Sequence, residues 1–152
     1  MNILFVCTAN VSRSFLAQHL LRHELWSHEI YDISVSSAGI ISNPDASADP
    51  RMVDHLLQKG IRSEEHKARQ ITKEDVDWAH RILVMEKRHA DIIHEMWPEA
   101  KAKVDFLGRF SSGGLIDDDI IDPFGKSPYH YRVAEAQISL GVEALAKELM
   151  GH

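Results

Sequence analysis

Asn2-Ile3-Leu4-Phe5-Val6-Cys7-Thr8-Ala9-Asn10-Val11-Ser12-Arg13-Ser14 is the stretch that decides the fold. Its first half is a short apolar run, which reads as a strand buried on both faces of a parallel sheet. From about Ser12 the pattern turns helical, with Leu16, Ala17, Leu20 and Leu21 on one side. Between them lie a thiol, five small or turn-forming residues, and an arginine. A loop at that junction can curl its backbone N–H groups around a tetrahedral oxyanion, which also meets the positive end of the helix dipole. Such a loop needs one residue that tolerates left-handed backbone angles, and Asn10 suits that position. The expected roles follow from residue type. Cys7 is the candidate nucleophile. Thr8, Ala9, Asn10, Val11 and Ser12 line the anion cradle, and Arg13 grips two oxygens with its planar fork. The Ser14 hydroxyl is placed to hydrogen-bond the sulfur. A merely structural cysteine is the competing reading, since free thiols are usually buried, but it leaves Asn10, Arg13 and Ser14 without a purpose.

The remaining chain alternates short apolar runs with amphipathic segments. Strands are expected over residues 2–6, 33–36, 81–85 and 103–107. Helices are expected over 12–26, from Pro50 to a stop at Gly60, over 87–96, and over 129–150. Thr72-Lys73-Glu74-Asp75 has the spacing of a capping box, with Asp in place of Glu. Pro98 closes the segment after the third helix. Alternation of this kind predicts an α/β fold, a parallel sheet with helices on both faces, and a ligand beyond the carboxyl ends of the strands. Cys7 stands at such an end.

Composition narrows the function classes. The 152 residues, 44% hydrophobic and 26% charged, suit a single domain spanning 1–152 with a real core. A net charge of −6 and scattered basic residues argue against nucleic-acid binding. No stretch approaches the length of a membrane span, and residues 1–6 are too short for a signal peptide. A single cysteine allows no internal disulfide and fits a reducing cytoplasm. The ten histidines form no metal motif: His23 and His28 are five apart and face different ways on a helix, and His19 and His23 bring no third ligand. They read as surface residues. No metal and no cofactor are expected.

A second catalytic group comes from the run Asp117-Asp118-Asp119-Ile120-Ile121-Asp122-Pro123-Phe124. Proline holds the residue before it in extended angles and stiffens the loop, which favours Asp122 as a proton donor. Residues 117–119 read as a solvated acidic loop. Phe124 is placed to stack on an aryl ring.

Taken together, the Cys7–Ser14 loop, Ser36-Ser37-Ala38-Gly39, His66-Lys67-Ala68-Arg69-Gln70, Ile82-Leu83-Val84-Met85 and Asp122-Pro123-Phe124 resemble the low-molecular-weight protein tyrosine phosphatases over nearly the whole chain. The resemblance implies a four-stranded sheet in the order 2-1-3-4. It also implies a phosphocysteine intermediate on Cys7, with Asp122 as general acid and base, and a phosphorylated protein as substrate. Inorganic phosphate or another oxyanion would act as product or inhibitor. Three positions depart from the family pattern: Ala9 stands for glycine, Ser12 for a second cysteine and Phe15 for proline. If position 9 needs a positive φ, its methyl costs roughly 1 kcal/mol or more. Related bacterial enzymes act on phosphoarginine, and Asp122-Pro123-Phe124-Gly125 resembles theirs also. Val11 puts an apolar face on the leaving group, which suits a phenyl ring better than a guanidinium. Further alternatives are an arsenate reductase using an external thiol, because an internal disulfide relay lacks its cysteines, and an inactive phosphate-binding module.

Overall fold

The computed structural model describes residues 1–114 and 117–151. Its centre is a four-stranded parallel sheet in the order β2-β1-β3-β4, formed by β1 (Asn2–Cys7), β2 (Ser34–Gly39), β3 (Arg81–Val84) and β4 (Val104–Phe106). Both the class and the strand order agree with the sequence reading. All four strands end at one edge of the sheet, with Cys7 opposite Gly39 and Val6 opposite Val84. The helices are α1 (Arg13–Ser27), α2 (Pro50–Gln58), α3 (Lys73–Trp78), α4 (Lys87–Met96), α5 (Leu107–Ser111) and α6 (Pro128–Leu149). No helix among the described residues is long and apolar enough to cross a membrane.

Alternation along β1 divides the core. Ile3, Phe5 and Cys7 face one side and pack with α1 and α6 residues such as Phe15, Leu21, Ile138 and Leu145. Leu4 and Val6 face the other and pack with Val76, Ala90 and Ile93. A strand covered on both faces in this way needs an unbroken apolar run, which residues 3–6 supply.

Of the boundaries that differ from expectation by a residue or more, three have clear local reasons. β2 runs on to Gly39 instead of stopping at Ser36, because its ladder with β1 continues as far as Cys7. β4 stops at Phe106, where Leu107 opens a short helix. Pro98 begins a 3₁₀ turn over Pro98–Lys103, a first-turn position where its missing N–H costs nothing. The box at Thr72 forms: Thr72 Oγ1 accepts from the Asp75 N–H at 3.3 Å, and the Thr72 N–H donates to Asp75 Oδ2 at 2.9 Å.

α2 and α6 start at the same edge as the site and run side by side. The Arg51 guanidinium lies 4.9 Å over the Tyr131 ring, and one turn further His55 Nδ1 lies 3.1 Å from Glu135 Oε2.

Candidate active site

The loop after β1 is held from outside by its carbonyls. Cys7 O accepts from Ile40 N (3.0 Å), Thr8 O from Ile41 N (2.9 Å), and Ala9 O from Ser42 Oγ (3.1 Å). Asn10 O accepts from His66 Nε2 (2.6 Å), Val11 O from Asp49 N (2.8 Å), and Ser12 O from Leu16 N (2.9 Å). With every carbonyl directed outward, the N–H groups of residues 9–12 turn to the centre of the loop, and none donates to a protein acceptor among the described residues. Unpaired inward donors at a helix start make an anion nest. The turn is made at Asn10, with φ of 60°. Ala9 takes no positive φ, so the cost raised for its methyl does not arise. Gly39 lets β2 approach: a Cβ there would stand 2.9 Å from Ala9 C and Thr8 O, too close for any side chain.

The sulfur has a defined partner. Asn10 Nδ2 donates to Ser14 Oγ and Ser37 Oγ, each at 2.9 Å, and its Oδ1 accepts from Arg69 N at 3.1 Å. Ser14 Oγ, which accepts from Asn10, lies 3.0 Å from Cys7 Sγ, where its hydrogen can be given to a thiolate. Ser37 passes its hydrogen to Gln18 Oε1. His66 and Arg69, whose role the sequence left open, therefore brace the loop from behind. Ser12 is buried, and its hydroxyl makes no hydrogen bond among the described residues.

Arg13 is buried to 1% exposure, which a guanidinium tolerates only when paired. Its NH1 donates to Glu86 Oε2 at 2.7 Å and Ile120 O at 2.8 Å, while NH2 reaches Thr8 Oγ1 at 3.3 Å. The fork is thus divided: NH1 is fixed on the protein, and Nε with the second NH2 hydrogen remains for an anion. Burial pushes the Glu86 carboxyl up, but hydrogen bonds from Arg88 and Arg13 outweigh it and hold the group below its ordinary range. Glu86 escaped the sequence reading, although it lies two residues beyond β3, at a strand end where ligands gather.

His89 escaped as well. It is fully buried, and its Nδ1 accepts from the Glu86 N–H at 3.1 Å, so the ring proton sits on Nε2 and donates to Thr8 Oγ1 at 3.0 Å. Arg88 NH2 donates to the same hydroxyl at 2.5 Å. A hydroxyl has two lone pairs; Arg13, Arg88 and His89 offer the Thr8 oxygen three donors, so two of them fill it at a time and its own hydrogen is free to be donated.

Cys7, Thr8, Ala9, Val11, Ser12, Arg13, Asp122 and Phe124 line one cavity of about 100 Å³. Asp122 Oδ2 stands 3.7 Å from Arg13 NH2, and its Oδ1 accepts from Phe124 N at 3.2 Å. Phe124 is an exposed ring at the rim. The segment before Asp122 is anchored at Asp119 and Ile120. Asp119 Oδ1 accepts from the Lys87 N–H at 2.8 Å, and Ile120 N donates to Met85 O at 2.8 Å. A Cβ at Gly108 would overlap the Asp118 carbonyl oxygen, so α5 packs directly on this segment. Residues 117–119 are nonetheless exposed and belong to no helix or strand, as expected of a solvated acidic loop.

His19 corrects the expectation of surface histidines: it is 8% exposed, and its ring lies 4.7 Å from that of Phe15. Burial and then the Arg22 charge push it down to about 4. His89 is pushed down to about 4 by burial and then the Arg13 charge. Both are neutral in the fold where the unfolded chain, at an ordinary 6.5, binds protons. Stability therefore falls as pH drops from 6.5 towards 4, with a slope approaching two protons. Urea midpoints at pH 7, 5.5 and 4.5 should show this, and His19→Asn should flatten the slope by about one proton. Equal midpoints at all three pH values would refute it. Among the described residues no cluster of His, Cys, Asp or Glu is arranged to hold a metal.

Comparison with known proteins agrees with this geometry. The protein-arginine-phosphatase of Geobacillus stearothermophilus is 40% identical over 149 residues, covering 97% of this chain and 95% of its own. The probable low molecular weight protein-tyrosine-phosphatase EpsP of Ralstonia solanacearum is 37% identical over 142 residues, covering 93% and 91%. The crystal structure of a YwlE mutant from Bacillus subtilis superposes with a TM-score of 0.89 at 31% identity, covering 99% of both chains. Residues 2–152 match the family model described as low molecular weight phosphotyrosine protein phosphatase, and the chain belongs to that family of phosphoric monoester hydrolases.

Proposed function

We propose that the chain, as a single domain over residues 1–152, hydrolyses phosphotyrosine in proteins of the cytoplasm through a phosphocysteine intermediate. The observation that carries this reading is the outward set of carbonyls from Cys7 to Ser12, which turns the loop's N–H groups onto one point beside the sulfur. Cys7 Sγ attacks phosphorus in line, with the loop N–H groups and Arg13 holding the equatorial oxygens. As the ester bond breaks, Asp122 protonates the leaving oxygen. It then takes a proton from water, which attacks the phosphocysteine; the S–P bond breaks and inorganic phosphate leaves. The Ser14 hydrogen bond stabilises the sulfur as it departs in this second step. Loop and guanidinium supply the positive field, so the reaction calls for no metal or cofactor. Inorganic phosphate is the product and a competing oxyanion. The acidic surface suits neither nucleic acid nor an anionic membrane as partner.

Val11 and Phe124 support the aromatic substrate, since both present apolar surface to the leaving group. A second reading, phosphoarginine, is favoured by the name of the relative from Geobacillus stearothermophilus. Phosphate release from matched phosphotyrosine and phosphoarginine peptides near pH 6.5, with Cys7→Ser as the blank, tests both. Faster turnover of the tyrosine peptide is expected. Faster turnover of the arginine peptide would keep the mechanism and replace the substrate. Failure on both would sink the proposal.

A further inference from the structure

Beside the catalytic cavity a larger groove, of about 440 Å³, runs between α2 and α6. It is joined to the phosphate loop by a short chain of contacts. Tyr131 OH donates to Asp49 Oδ2 at 2.5 Å, and Asp49 N donates to Val11 O at 2.8 Å. Burial and the hydrogen bond to Asp49 push the Tyr131 phenol up, so it stays a donor. The Tyr131 end of the groove thus lies two hydrogen bonds from the loop, through Asp49 to Val11, and the groove follows the two helices from there.

Its charges are sorted along its length. Arg51 and Arg132 stand at the end near the loop, in the first turn of α2 and the second turn of α6. Arg13, Arg69, Arg81, Arg88 and Arg109 each face a carboxylate, but among the described residues Arg51 and Arg132 face none. Arg51 instead lies over the Tyr131 ring, which leaves its N–H edges outward. The groove's own acids are further along and engaged: Glu135 with His55, and Asp54 with Gln58 Nε2 at 2.9 Å. Two guanidiniums without a carboxylate partner therefore stand together at one end of the groove, although Asp54 and Glu135 line it further along and the Asp49 carboxylate caps the α2 N-terminus.

We propose that this groove docks an acidic segment of the phosphoprotein substrate, adjacent to the phosphorylated residue. The inference rests on the phosphoprotein reading but not on which amino acid carries the phosphate. The fork of Arg132 pairs with a Glu or Asp carboxylate of the substrate, and Arg51, held flat on Tyr131, takes a second. Docking of this kind raises affinity for large substrates and leaves the chemical step alone.

The test compares peptides in which the phosphorylated residue is flanked by glutamates or by alanines, made in both phosphotyrosine and phosphoarginine form, with p-nitrophenyl phosphate as a substrate too small to reach the groove. In whichever series is turned over, the acidic peptide should have the higher kcat/KM. Arg132→Glu should remove most of that advantage through KM. Adding Arg51→Glu should bring the loss to about tenfold. Arg132→Glu should leave p-nitrophenyl phosphate hydrolysis unchanged, and added salt should shrink the wild-type preference. Equal kcat/KM for acidic and neutral peptides in the wild type would overturn the proposal, as would a preference that survives both substitutions. Cleavage of p-nitrophenyl phosphate without cleavage of any peptide would overturn this proposal together with the phosphoprotein reading. A preference seen only among phosphoarginine peptides would support the groove while overturning phosphotyrosine.

Discussion

Asp122→Asn should lower kcat by about 10²–10⁴-fold on a phosphotyrosine peptide, and far less on p-nitrophenyl phosphate. The contrast follows from the leaving groups. Nitrophenolate departs without a proton, whereas the tyrosine oxygen develops a charge that needs one. The carboxyl is in place to supply it, since Asp122 lines the same cavity as Cys7. Its Oδ1 is occupied by the Phe124 N–H, which leaves Oδ2 as the oxygen directed towards Arg13 and the reacting phosphate. Asparagine can keep the first contact, so the variant should fold and bind anions as before. Stopped-flow on the two substrates separates the cases. A fall of equal size on both would mean that Asp122 positions the loop or the phosphate instead of transferring a proton.

Glu86→Ala should cost about 3–5 kcal/mol of stability, the range for leaving one member of a buried ion pair alone. The side chain of Arg13 is 2% exposed and that of Glu86 18%, so water does not replace the lost carboxylate readily. Ile120 O remains as a neutral acceptor for Arg13, and Arg88 loses its partner as well. The lower end of the range is therefore expected. The loss has a signature of its own. Inorganic phosphate held by the loop puts a negative charge back beside Arg13, so saturating phosphate should restore more stability to Glu86→Ala than it adds to the wild type. Denaturant midpoints with and without phosphate read this directly. A loss below about 1 kcal/mol, or equal stabilisation of both proteins by phosphate, would mean that Glu86 is not what holds Arg13 in the fold.

What could be read in the sequence was local. The apolar run, Asn10, Arg13 and Ser14 lie within one strand–loop–helix unit, and their chemistry constrains their geometry. Asp122 could be picked out because Pro123 restrains it. The residues that hold the site together could not be picked out in this way, because their partners are remote. Glu86 lies 73 positions from Arg13, and His66 lies 56 from Asn10. Nothing in the type of either residue states that it will face the loop. Asp49 illustrates the point: it caps α2 through Arg51 N, accepts from Tyr131 and donates its own N–H to Val11, and only the first of these is a near neighbour in sequence. His19 was misjudged for a different reason. A neutral imidazole packs against Phe15 much as an apolar ring would, and periodicity alone does not record which form it takes.

The division of the Arg13 fork has a bearing on how the chain matures during synthesis. The nucleophile loop leaves the ribosome early, since it lies within residues 7–14. The groups that hold the guanidinium come much later, at Glu86 and then Ile120, and the acid follows at Asp122. Domains take shape as growing chains are released. A growing chain short of residue 86 thus exposes a thiol whose arginine lacks its carboxylate partner, and one short of residue 120 still lacks the second acceptor. Arg13 gains its full set of contacts only when the last third of the polypeptide packs against the first few residues.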